Sequence, residues 1–141
     1  MSRKVVEEVL IAKPKEAARP EFGRIIRICA AGWVIPGCGH LLLGRKWRSL
    51  IFFVCIMVMF LFGLGMKGEV FSTQSASMLE TLGYFGELCV GVAMPVARFF
   101  GYAGDPFFVS SDYGTAFLVA AGMLNVLTVL DAYDIAMGRK S

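Results

Sequence analysis

His40, the only histidine of the chain, is the residue best suited to bind a cofactor. A neutral imidazole in an apolar segment can be an axial ligand of haem iron or chlorophyll magnesium, or it can donate a hydrogen bond to a backbone carbonyl that Pro36 leaves free. Hydrogen bonding is the main prediction, and haem or chlorophyll ligation is the alternative. Cys38 lies two residues away, but two potential ligands without a second pair are too few to predict a metal site.

Four other polar side chains interrupt apolar segments: Glu87, Arg98, Asn125 and Asp131. Ionisable residues inside a membrane mark ion or proton paths by default. Glu87 and Arg98 are eleven residues apart, about 16 Å along a continuous helix, so they are not expected to pair directly. Transporters usually have more helices and internal repeats than this sequence shows.

The sequence contains no GxSxG, HExxH, P-loop or dinucleotide-binding motif, so no enzymatic activity and no catalytic residue are predicted. The net charge of +3 is small, and the basic residues flank apolar segments, which argues against binding of nucleic acid. No soluble small-molecule substrate is indicated. The four cysteines lie in apolar segments without a CxxC pair and are predicted to be reduced core residues: Cys29, Cys38, Cys55 and Cys89.

The composition of the chain predicts the kind of secondary structure that positions these residues. Hydrophobic residues make up 57% of the chain and charged residues 18%, where a soluble domain has about 25% charged residues. Residues 1–27 hold seven of the fourteen Lys and Arg, whereas residues 49–66 hold none. This segregation predicts an all-α integral membrane protein, and we expect it in the cytoplasmic (inner) membrane of a bacterium.

Four apolar segments are predicted to be helical. Those at about 49–66 and 115–136 are long enough to be transmembrane helices. Those at about 25–43 and 81–104 are predicted to be kinked or re-entrant. The unbroken part of the former spans only about 16 Å of a roughly 30 Å hydrocarbon layer. Its structural hinge comprises Pro36, Gly37, Gly39 and Gly44. In the latter, small residues recur at every fourth position and predict close helix packing: Cys89, Ala93, Ala97 and Gly101.

The N-terminal part differs from the rest of the chain. Val5, Val6, Val9 and Leu10 have helical spacing and predict an amphipathic helix, with a solvated terminus as the alternative. Residues 1–24 are therefore assigned to a charged helix and linker, and residues 25–141 to a single membrane-embedded helical domain.

Basic residues also predict the orientation. Four simple crossings would place the basic loop at 45–48 outside, against the positive-inside rule. Re-entrant segments instead place twelve of the fourteen Lys and Arg, with both termini, on the cytoplasmic side. This second arrangement is favoured, and the first stays open.

The order of an apolar segment, Pro36-Gly37-x-Gly39-His40-x-x-x-Gly44-Arg45, an apolar helix and a last helix ending Leu130-Asp131-Ala132-Tyr133-Asp134 resembles small bacterial membrane proteins of the TM-two domain type. In that family a glycine-rich break precedes a histidine, and an Asp closes the final helix. Here Leu42 stands where the family usually has an aromatic residue, and residues 67–114 are additional. The resemblance covers about half of the chain and implies no catalytic activity.

Carboxylates near the C-terminus of a helix require a cationic partner. The predicted interface charge pairing therefore joins Arg45, Lys46 or Arg48 to Asp131 or Asp134. The predicted function is that of an accessory or structural subunit of a larger bioenergetic, photosynthetic or transport complex. Its partners would be membrane lipid, including bound lipid, and other integral membrane subunits. The alternative is a small oligomeric channel or transporter that uses intramembrane Glu87 and Asp131.

Overall fold

A computed structural model describes residues 22–69 and 78–140, and within these ranges the chain forms helices and no strand. The predicted all-α architecture is confirmed for this part. The amphipathic helix predicted near residues 2–12 lies outside the described residues. The helices are α1 (Phe22–Val34), α2 (Cys38–Leu42), α3 (Lys46–Gly65), α4 (Met78–Leu88), α5 (Ala93–Phe99) and α6 (Ser111–Ala136).

The two longest helices, α3 and α6, correspond to the two predicted transmembrane helices. They contain 20 and 26 residues and are long and apolar enough to cross a membrane. Each begins a few residues before the predicted apolar segment, because polar residues such as Arg48 and Asp112 extend its first turn. Helix α6 is the centre of the fold, since α1, α2, α3 and α4 all pack against it.

Helices α1 and α2 form a first hairpin. Gly37, at φ 80°, turns the chain, and a Cβ atom there would lie 2.6 Å from the Ser49 carbonyl oxygen. Gly39 of α2 then packs against Ile28 and Gly32 of α1. Leu43 lines a small crevice with Arg24 and Ile25, so the chain has returned to the end from which α1 started.

Helices α4 and α5 form a second hairpin, which replaces the single kinked helix considered for residues 81–104. Gly91, at φ 77°, lies in the turn between them. Helix α4 runs alongside α6 in the same direction, since Gly86 contacts Gly122 and the Cys89 carbonyl contacts Asn125. After α5 the chain returns to the end of α3, where the Tyr102 hydroxyl donates to the Gly68 carbonyl over 2.8 Å.

The hairpins come from opposite ends of the molecule, and their tips meet beside the middle of α6. The Val92 N–H donates to the Val34 carbonyl over 3.0 Å. Gly91 lies so close to the Trp33 and Val34 carbonyls that a Cβ atom would clash with them. Each tip therefore packs against protein backbone.

The hydrophobic core lies between α3, α6 and the second hairpin. It is formed by Ile56, Phe60, Val90, Met94, Ala97, Leu118 and Ala121. The predicted packing face of small residues is interrupted, because α4 ends at Leu88 and α5 begins only at Ala93. Ala97 is buried, whereas Gly101 has no other side chain nearby. The close helix approach occurs instead between Gly86 and Gly122.

Candidate functional site

His40 lies at the centre of a polar cluster between the first hairpin and α6. Its side chain is completely buried, and its Nε2 lies 3.0 Å from Asp131 Oδ2. Since a carboxylate only accepts hydrogen bonds, Nε2 carries the proton and donates it. The other carboxylate oxygen, Oδ1, accepts from Lys140 Nζ over 2.8 Å. The cluster thus joins α2, α6 and the residues after α6.

The hinge residues place His40 in this position. Gly39 permits close contact with Ile28 on one side and Ala132 on the other, where a Cβ atom would approach within 3.1 Å of each. The His40 ring then packs on Phe52 of α3, with 5.1 Å between the ring centroids. Gly44, at φ 78°, ends the hairpin, and the next N–H, of Arg45, donates to the His40 carbonyl.

The predicted partner of His40 was wrong. We expected a backbone carbonyl freed by Pro36, whereas the ring donates to a carboxylate 91 residues away. His40 Nδ1 is buried and has no hydrogen-bond partner among the described residues. Haem or chlorophyll ligation stays a prediction, and it would require the completely buried ring to become accessible.

The predicted cationic partners of the carboxylates also differ from the observed ones. Within the described residues, none of the three basic residues at 45–48 forms an ion pair with Asp131 or Asp134. Asp131 is bound by Lys140, and Asp134 lies 3.5 Å from Arg139. Gly138, at φ 72°, turns the chain after α6 and lets the terminal residues reach back to its last turns.

The contact with Asp131 changes the pKa of Lys140. Its hydrogen bond to the Asp131 carboxylate, and the negative charge of that group, raise the pKa of Lys140 above its ordinary value of 10.5. No sequence signal pointed to Lys140, because its nine-residue separation from Asp131 crosses the end of the helix and follows no helical period.

Glu87 and Arg98 form a second polar cluster, inside the second hairpin. Arg98 Nη2 lies 3.3 Å from Glu87 Oε2, so the prediction that they do not pair was wrong. The 16 Å estimate assumed a continuous helix, whereas the chain turns at Gly91 and α5 runs back, which brings Arg98 beside Glu87. The Glu87 side chain is 1% exposed and that of Arg98 41%. Both line an open crevice of about 210 Å³ with Tyr84, Leu88, Met94 and Pro95.

Asn125 holds the two hairpin tips together. Its fully buried amide donates to the Trp33 carbonyl over 3.1 Å and to the Cys89 carbonyl over 2.9 Å. These are the carbonyls that the broken helices leave without helical partners. The sequence predicted Asn125 to be an intramembrane polar residue, but its spacing could not show which two segments it joins.

These clusters offer little for metal chemistry. Among residues 22–69 and 78–140, no three His, Cys, Asp or Glu side chains lie close enough together to hold a metal ion. The four cysteines are free thiols. Three of the buried polar side chains bind groups elsewhere in the fold. His40 joins α2 to α6, Asn125 joins α6 to both hairpin tips, and Glu87 pairs with Arg98 across the turn of the second hairpin.

Comparison with known proteins gives one match. The model of a family described as "Family of unknown function (DUF6677)" matches residues 27–141. No curated protein and no solved structure matches the chain significantly. The resemblance to the TM-two domain type stays a prediction, because nothing in these comparisons concerns its motifs.

Proposed function

Because the chain belongs to DUF6677, a family of unknown function, we propose its role from its own contacts. It is a non-enzymatic integral membrane protein that acts as an accessory or structural subunit of a larger bioenergetic, photosynthetic or transport complex. The observation that carries this proposal is that its buried polar groups bind other groups of the same chain. His40 and Asn125 tie separate segments of the fold together, and Glu87 pairs with Arg98.

The surface supports a membrane location. Helix α3 exposes large apolar side chains along its length, among them Leu50, Val54, Leu61 and Phe62. Such a face suits lipid tails or the helices of partner subunits. Together with the length of α3 and α6, it favours two full crossings.

The two hairpins are proposed to be re-entrant. Helix α1 has 13 residues, about 20 Å, which is too short to cross roughly 30 Å of hydrocarbon. The backbone polar groups at the hairpin tips need protein partners at that depth, and the other tip and Asn125 supply them.

Charge supports placing the termini in the bacterial cytoplasm. Arg24, Lys46, Arg48 and Lys140 lie at the end of the molecule where α1 and α3 begin and α6 ends. The opposite end carries Lys67 with the acidic groups of Glu69, Asp105 and Asp112. The positive-inside rule makes the first end cytoplasmic.

Purification from native membranes in a gentle detergent tests the accessory role. A stoichiometric set of unrelated membrane subunits that co-purify with the tagged protein, and are absent from an untagged strain, is the expected result. A homo-oligomer without other subunits contradicts it and favours the second candidate.

That second candidate is a small oligomeric channel or transporter that uses Glu87 and Asp131. Broken helices that meet in the middle of a membrane protein favour it, because many transporters bind their substrates at such points. Ion flux into proteoliposomes, measured for the wild type, E87Q and D131N, tests this candidate. Flux that both substitutions abolish, in proteins that remain folded, supports transport.

A further inference from the structure

An apolar groove runs along the outside of the first hairpin, where it packs on α3. The groove has a volume of about 510 Å³. Ile35, Leu41, Leu50 and Phe53 form its apolar walls, and Lys46 lies at one end. Since Lys46 is the first residue of α3, the groove extends from the hairpin tip toward the basic end of the molecule.

The cations at the basic end of this groove form no ion pair with a described residue. Within the described part of the chain, Lys46 and its neighbours Arg45 and Arg48 form no ion pair. The first turn of α3 contains no acidic residue, and no side chain caps it. Its N–H groups and the helix dipole add positive potential to that of the cations. The groove is therefore apolar along its walls and positive at the end where Lys46 lies.

We propose that this groove binds one acyl chain of an anionic phospholipid, with the phosphate of its head group on Lys46 and the start of α3. A lipid tail fits the apolar walls, and the negative head group supplies the missing charge at the depth where a bilayer places it. The proposal rests on the membrane location proposed above, and it is independent of the accessory role.

Tryptophan quenching by brominated lipids tests the site. The native tryptophans are replaced in a W33F/W47F variant, and a single tryptophan is introduced in the groove as F53W. The matched control is F62W, which lies on the same helix in an apolar depression that Lys46 does not border. Each protein is reconstituted in phosphatidylcholine vesicles that contain a small fraction of brominated phosphatidylglycerol or brominated phosphatidylcholine.

Brominated phosphatidylglycerol is expected to quench F53W at a lower mole fraction than brominated phosphatidylcholine, whereas F62W responds equally to both lipids. Adding K46Q to F53W reduces the preference about fivefold, the effect of one basic residue near an anionic head group. Adding K67Q, at the opposite end, leaves it unchanged.

Three results overturn the site. Equal quenching of F53W by both lipids indicates only general contact with the bilayer. Absence of quenching at F53W, with normal quenching at F62W, shows that a second copy or another protein covers the groove. Absence of quenching at both positions contradicts the membrane location itself, and the lipid site with it.

Discussion

The N–H of Val92 donates to the carbonyl of Val34 over 3.0 Å, which joins the tips of two hairpins that start at opposite ends of the molecule. Neither hairpin reaches across the fold alone. The two hairpins meet tip to tip and together extend from one end of the fold to the other, and Asn125 of α6 binds both tips. The stability of this junction gives the first prediction.

Replacing Asn125 by leucine, which has a similar volume, should lower the free energy of unfolding by about 1–3 kcal/mol, because the Trp33 and Cys89 carbonyls lose the donor that a fully buried amide supplies. The matched control is T128V. Thr128 is also buried on α6, but its hydroxyl donates to Leu124 within the same helix. Thermal unfolding in detergent measures both variants. An equal loss of stability in both would contradict the bridging role of Asn125.

The His40–Asp131 contact should be energetically coupled. A double-mutant cycle of H40A and D131A is expected to give an interaction energy of about 1–3 kcal/mol, because the imidazole is completely buried. The same cycle for Asp134 and Arg139, whose side chains are partly exposed, should give less than about 1 kcal/mol. Denaturant unfolding of the wild type and the six variants checks this, and comparable values would assign His40 a packing role alone.

Alanine substitution of two glycines in the first hairpin distinguishes the cost of backbone strain from the cost of a steric clash. Gly37 and Gly44 have φ values of 80° and 78°, but only Gly37 faces the backbone of α3. G44A should therefore cost about 1–2 kcal/mol, the strain of a left-handed residue. G37A adds a clash with the Ser49 carbonyl and should cost more than about 3 kcal/mol or prevent folding. Stability and yield of folded protein are the measurements, and similar values would contradict the observed turn.

The pH dependence of stability should reveal the Lys140 contact. A pKa raised in the folded state means that the folded protein holds this proton more tightly than the unfolded chain does. The stabilising contribution is therefore fully present below the ordinary pKa of 10.5 and is lost as pH rises through the raised value. The difference in stability between wild type and K140Q should stay constant between about pH 6 and 9 and shrink above pH 10.5.

R139Q provides the control for this measurement, since Arg139 pairs with Asp134 and its replacement leaves the Lys140–Asp131 contact in place. The difference between wild type and R139Q should not show the same decrease. Thermal unfolding across the alkaline range compares the two variants, and a difference for K140Q that already falls between about pH 7 and 8 would contradict the contact.

The re-entrant arrangement makes a prediction about accessibility. In a variant without native cysteines, K46C should react with a membrane-impermeant maleimide only after the cells are permeabilised, whereas D105C should react in intact cells. Both side chains are exposed at opposite ends of the fold, so labelling reports the side of the membrane. Labelling of K46C in intact cells would contradict this topology.

The long helices could be predicted from the sequence because hydrophobic content and length suffice to identify them. The break at Pro36 and Gly37 could be placed as well, since proline and paired glycines disfavour a continuous helix. The second break was harder to place. Gly91 lies in an apolar run without a proline beside it, and its conformation depends on the Trp33 and Val34 carbonyls nearby.

The partners of the polar residues could be identified only from the tertiary structure. The sequence identified Asp131, Glu87 and Asn125 as residues that need partners, because their burial is costly. For Asp131 it assigned a basic residue at 45–48, because both were expected at the same interface. For Glu87 it excluded Arg98 from their distance along a continuous helix, which the turn at Gly91 removes. Glu87 pairs with Arg98 only because α5 folds back on α4, and Asp131 reaches His40 only because α2 packs against α6.

The junction of the tips also sets an order for biosynthesis. The Trp33 carbonyl leaves the ribosome 92 residues before the Asn125 amide that binds it. In the proposed membrane arrangement, the first hairpin must keep its tip near water or a chaperoning protein until the last helix is made, because hydrocarbon offers no donor for a free carbonyl. In that arrangement the first hairpin, although it is synthesised before α6, reaches its final depth only after α6 has been made.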